Sequence, residues 1–200
     1  RRVPVTASEG SREGRYHIID PYLRFYYRFL ALRQSQLALD VSEQALAEIK
    51  RHLLDFIGTH TWEELCREWV LRASAYGEAV FFADQVGSVW TKNAQVDVVG
   101  INSMEKTLIL GECKWSPQAM GRNVLTDLVQ KTDEVISGQG QWQVYYLGFA
   151  RAGWTEAAKT FARELSSNRL TGQNWQAMGM RLLDLDQIDS DLHRWANQQP

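Results

Sequence analysis

The sequence predicts an α/β fold, a mixed sheet with helices on both faces, and three observations predict it. Residues 95–101 and 108–115 are aliphatic runs around the polar connection 102–107, the pattern of an antiparallel hairpin. Both runs are apolar on either side of the strand, as in strands covered on both faces. A further apolar run, 142–149, is followed by a helical pattern opening at Thr155 and by another strand, an order that suits a crossover and a partly parallel sheet.

The elements follow in order. Two short β-prone pieces, 3–6 and 15–19, flank the flexible stretch 10–14. Asp20-Pro21 is an N-cap followed by proline at the first helical position. Tyr22, Phe25, Tyr26, Phe29 and Leu30 then recur at helical spacing, with Arg24 and Arg28 on another face. The stripe suits packing against the next domain with solvated arginines, and alternatively a basic and aromatic surface for nucleic acid. A second helix spans 40–57, capped by Asp40 with Glu43 and closed by Gly58. Thr61 with Glu64 forms a second capping box, opening a helix that turns Trp62, Leu65, Cys66 and Trp69 inward.

Residues 79–91 read as one strand with a bulge at Gly87, and the hairpin follows. A helix at about 122–137 directs Val124, Leu125, Leu128, Thr132, Val135 and Ile136 at the sheet and ends at Gly138. Arg122, Gln130 and Lys131 lie outside that stripe, where a solvated polar face is the preferred reading and contact with a phosphate backbone the alternative. A strand at about 180–185 and a short helix to Ala196 close the chain. The acidic run Asp184, Asp186, Asp189 and Asp191 there lacks the glycine and terminal glutamate of a calcium loop and suits helix capping.

Composition narrows the function. At 200 residues and 44% hydrophobic content there is chain enough for one sizeable domain, alone or with an appendage. The net charge of -2 gives no uniformly basic surface, so any phosphate contact is local. Cys66 and Cys113 form no paired motif, and the four histidines have no zinc spacing. Short apolar runs and the absence of a signal-peptide pattern lead to an expected cytoplasmic protein without a membrane partner. No phosphate-binding P-loop motif is present, so ATP hydrolysis by that route is not expected of this piece.

Three charges interrupt the hairpin: Asp97, Glu112 and Lys114. Glu112 and Lys114 share a face with Leu108 and Leu110, and a turn centred near Met104 and Glu105 puts Asp97 opposite Glu112. Such charges cost on the order of several kcal/mol each unless they pair or hold a metal. A salt-bridged cluster satisfies that condition; so does a site for a hard cation, since Mg²⁺ is held by one or two carboxylates plus waters and substrate phosphates.

Asp97, followed after a hairpin by Glu112-Cys113-Lys114, resembles the PD-(D/E)XK core of the restriction-endonuclease-like nucleases. The stretch 15–29 (Arg-Tyr-His-Ile-Ile-Asp-Pro-Tyr-Leu-Arg-Phe-Tyr-Tyr-Arg-Phe) together with Gly111-Glu112-Cys113-Lys114-Trp115 is similar, over about residues 15–165, to the uncharacterised C-terminal domain of archaeal-type P-loop (AAA+/STAND-like) ATPases. The resemblance implies a restriction-endonuclease-like αβα sandwich at 59–200. It also implies the end of a winged-helix wing with two linker helices at 1–58, and ATPase and winged-helix regions outside this sequence. By the same resemblance Asp97, Glu112 and the Cys113 carbonyl bind Mg²⁺ or Mn²⁺, and Lys114 holds or deprotonates the attacking water. Glu63 reads either as a further ligand or as a helix first-turn carboxylate. The expected activity is metal-dependent hydrolysis of DNA; the alternative is a catalytically silent nuclease-like module that binds DNA or regulates the ATPase.

Overall fold

The computed structural model describes residues 18–38, 42–136 and 140–198, with residues 4, 6, 14 and 16. The expected wing at 3–19 falls largely outside these residues, as do Asp40 and Gly138. The first helix, α1 (Pro21–Phe25), starts as its cap signals require, with the Asp20 carboxylate accepting from the Leu23 N–H at 3.1 Å. It continues through a π turn (Tyr26–Leu30) and a 3₁₀ turn (Ala31–Arg33) into α2 (Gln34–Ala38). Phe25 and Phe29 pack on Phe56 of α3 (Ser42–Phe56) at ring separations of 6.1 and 5.4 Å, so this part of the aromatic stripe is packing surface, while Tyr22 stays exposed. Arg24 is not solvated: it makes a bidentate pair with Glu64 at 2.7 and 2.5 Å.

That pair and one glycine change the expected helix boundary. Gly58 does not end α3, because the chain runs on through a π turn (Ile57–Thr61) into α4 (Trp62–Ala75). A Cβ at Gly58 would stand 2.4 Å from Cδ1 of Trp115, so glycine serves close approach here and not termination. Thr61 is helical and makes no capping bond.

Only part of 79–91 is a strand, β1 (Gln85–Trp90), with the bulge between Gly87 and Val89. The preceding stretch is held irregular by local bonds, among them Ala83 N–H to the buried Ser74 hydroxyl at 2.8 Å. The sheet is completed by β2 (Gln95–Asn102), β3 (Thr107–Lys114), β4 (Trp142–Ala150) and β5 (Trp175–Asp184), in spatial order β1-β2-β3-β4-β5. The first three strands are antiparallel, and β4 and β5 run parallel to β3. The last strand starts several residues before the expected 180–185.

The connections make the sheet the middle layer of an α/β sandwich. On one face, α5 (Arg122–Gln130), α6 (Thr132–Val135) and α7 (Glu156–Ser167) pack Leu128, Val129, Val135 and Leu165 on Val99, Leu108, Leu110, Val144 and Tyr146. On the other, α4 and α8 (Leu185–Ala196) pack Trp62, Cys66, Trp69, Ile188 and Trp195 on Val98, Ile109, Leu147, Phe149 and Leu183. The helix expected at 122–137 is broken at Lys131, whose N–H is shared between the Asp127 and Leu128 carbonyls at 3.2 Å each. The acidic run is structural: Asp184 caps α8 and Asp191 accepts from Trp69 Nε1 at 2.9 Å.

Candidate active site

β2 and β3 pair in register from Asn102 with Thr107 to Val98 with Gly111. Carried one step past the last paired residues, the same register leads from Val98 and Gly111 to Asp97 and Glu112. There the ladder changes character, and the Asp97 carboxylate takes the Cys113 N–H at 3.0 Å in place of a backbone carbonyl. Glycine at position 111 lets the strands close on this point, since a Cβ would lie 2.9 Å from the Val98 Cβ and 3.1 Å from Phe149.

Both carboxylates are buried, Asp97 at 8% exposure and Glu112 at 7%. Glu112 is held at both oxygens: Lys114 Nζ donates to Oε1 at 2.5 Å and Lys131 Nζ to Oε2 at 2.8 Å. Asp97 is poorer in donors: among the described residues its Oδ1 has only Gln95 Nε2, at 3.4 Å. Burial, then the neighbouring charges of Glu112 and Glu63, push the Asp97 carboxyl up to about 6, against the Cys113 hydrogen bond. For Lys114, burial works downward but is outweighed by the hydrogen bond to Glu112 and the charges of Glu112 and Asp97, so its pKa is raised. A lysine of lowered pKa, which deprotonating the attacking water would call for, is therefore not what the protein provides by itself.

Glu63, on α4, is aimed at Arg67 Nη1, 3.3 Å away, and the same Arg67 nitrogen donates to the Asp97 carbonyl at 2.8 Å. It is thus electrostatically near Asp97 but bound elsewhere. Among the described residues no group of three or more His, Cys, Asp or Glu side chains is gathered as a metal would need. The donors that do fit a hard cation are the under-donated carboxylate of Asp97 and that of Glu112. The Cys113 carbonyl points to the Asp97 side too, because a strand residue's N–H and C=O share a direction. The thiol of Cys113 takes no part: burial first, then the Cys66 thiol, raises its pKa well above the ordinary value.

Two flanking residues were not legible from spacing. Lys131 reaches Glu112 because the helix breaks there, and the buried Thr132 one residue on was the available signal. Arg151 follows β4, donates its N–H to the Lys114 carbonyl at 3.0 Å and lays its guanidinium 4.8 Å from the Trp115 ring centre. Trp115 in turn meets Trp62 at 5.3 Å.

Residues 26–125 match the sequence profile of DUF234, archaeal and bacterial proteins of unknown function. An uncharacterised protein of Methanocaldococcus jannaschii is 24% identical over 148 residues, 73% of this chain and 33% of that protein. The chain thus spans about a third of that relative's length. No solved structure matches the chain. Among the described residues no helix is long and apolar enough to cross a membrane.

Proposed function

The chain belongs to this family of archaeal and bacterial proteins of unknown function, and we propose that it hydrolyses DNA phosphodiester bonds with a divalent cation, Mg²⁺ or Mn²⁺. The observation that carries the reading is Asp97, a buried carboxylate short of donors, facing Glu112 with Lys114 on the same strand. Burying two carboxylates together is costly, and a cation held by them would offset both the desolvation and the repulsion.

Asp97, Glu112 and the Cys113 carbonyl would hold the cation, with Glu63 as a further ligand were it to turn from Arg67. When bound, the cation lowers the pKa of a water and offsets charge on the phosphate. Lys114 keeps its ammonium beside Glu112, where it can hold the attacking water or meet developing charge on a phosphate oxygen. The unit with this activity is 59–200, and the helices that precede it serve as linker to a P-loop ATPase, in a cytoplasmic protein.

A second reading, a nuclease-like module that binds DNA or regulates the ATPase without cleaving, is favoured by one observation: both oxygens of Glu112 already have lysine partners. The experiment that decides is cleavage of labelled DNA in Mn²⁺ by wild type, Asp97→Ala and Lys114→Ala, with calorimetric titration of Mn²⁺ into the same proteins. The proposal expects cleavage lost in both variants and Mn²⁺ binding lost in Asp97→Ala. Cleavage unchanged in both, or no cleavage by wild type, refutes it.

A further inference from the structure

Lys131 is built into place. The residue after it, Thr132, is fully buried, and its hydroxyl is shared between the Val129 carbonyl and the Tyr146 hydroxyl of β4, both at 2.7 Å. The next, Asp133, accepts from Trp175 Nε1 of β5 at 2.6 Å. Two successive residues are therefore tied to the sheet where the helix breaks, and the break aims the Lys131 stem over β3. A solvated lysine needs no such anchoring. The ammonium at its end is half-buried and spends its bond on Glu112 Oε2.

A cation bound by Glu112 competes with the ammonium groups for the same two oxygens. Lys114 shares a strand with Glu112; Lys131 comes from another layer on a flexible four-carbon stem with three donors. When Glu112 is ligated, the Lys131 ammonium is left beside the site with a carboxylate whose charge is already offset. An ammonium there is satisfied by an anion, and the anion that arrives is the substrate's phosphate.

We infer that Lys131 is a phosphate-binding residue of this site, holding Glu112 in the cation-free protein and passing to a non-bridging oxygen of the DNA phosphodiester when Glu112 takes a cation. This rests on the metal-dependent reading above. The pairing is an exchange of partners, with no bond made or broken in the substrate.

The test uses the whole chain and two readouts besides activity: Mn²⁺ titration by calorimetry, and binding of a short DNA duplex at increasing salt with Ca²⁺ present. Lys131→Gln is expected to bind Mn²⁺ several-fold more tightly, a competitor having been removed. Its plot of log affinity against log salt is expected to flatten by about one contact, a slope change of ~0.9. Lys131→Arg keeps the wild-type slope, and Lys159→Gln, a surface lysine of α7 paired with Glu156, moves neither readout. A wild-type slope in Lys131→Gln overturns the inference even if Mn²⁺ binds more tightly, because Lys131 is then only the counter-ion of Glu112; a wild type that binds no duplex overturns it as well. A wild type that binds no Mn²⁺ but whose slope falls in Lys131→Gln refutes the metal site and leaves the phosphate contact standing.

Discussion

Asp97→Asn separates a residue kept for function from one kept for stability. The carboxyl is raised from 3.8 to about 6, mainly by burial and then by Glu112. A raised carboxyl destabilises the folded state as it ionises. The penalty is absent below the unfolded value near 3.8, grows as pH rises through about 6 and is complete above it. A shift of roughly two units at about 1.4 kcal/mol each amounts to ~3 kcal/mol, and the residue is too buried for solvent to screen much of it. Asparagine removes the charge and keeps an oxygen to accept the Cys113 N–H. In chelator at pH 8 the variant should therefore be more stable than wild type by ~2–3 kcal/mol, and near pH 4 the two should coincide. Urea unfolding followed by tryptophan fluorescence measures both. With saturating Mn²⁺ at pH 8 the order reverses, since only wild type gains from binding. A variant less stable than wild type at pH 8 without metal, or a gap that does not close toward pH 4, would show that the buried charge is already compensated.

Other outcomes follow from neighbouring geometry. Gly148→Ala puts a Cβ 2.5 Å from the Trp154 ring and 2.8 Å from Leu182, which should cost about 1–3 kcal/mol in urea unfolding; a neutral result would mean Trp154 moves freely. Thr132→Val leaves the buried Tyr146 hydroxyl unpaired and should cost ~1–3 kcal/mol, with most of the loss recovered in the double variant Thr132→Val, Tyr146→Phe. Glu78, held down to about 2 by hydrogen bonds from Arg194 and Trp195, gives stability present above pH 4.5 and lost as pH falls through about 2. Glu78→Gln should accordingly lower the thermal midpoint at pH 6 and match wild type near pH 2; a constant difference across that range would rule out the ion pair as its source.

The apolar runs of β2, β3 and β4 and the stripes of α5 and α7 were readable because period and patterning are local properties, and so was the hairpin register as far as Val98 with Gly111. Gly58 was misread as a stop. A glycine that ends a helix and one that admits a tryptophan from a distant strand look alike until Trp115 is in place. The Thr61 and Glu64 signal failed for a related reason: Arg24, forty positions earlier in the chain, claims the glutamate. The residue types of the site were legible as charges where an apolar strand should run. Their partners were not, because ion pairing depends on proximity across layers: Glu63 goes to Arg67, while Lys131 reaches Glu112 through a helix break that Thr132 and Asp133 anchor to two other strands. By itself the sequence determined the strands, the hairpin register and the buried charges. The tertiary structure decided which of those charges meet, because that requires the α5 layer to be packed on the sheet.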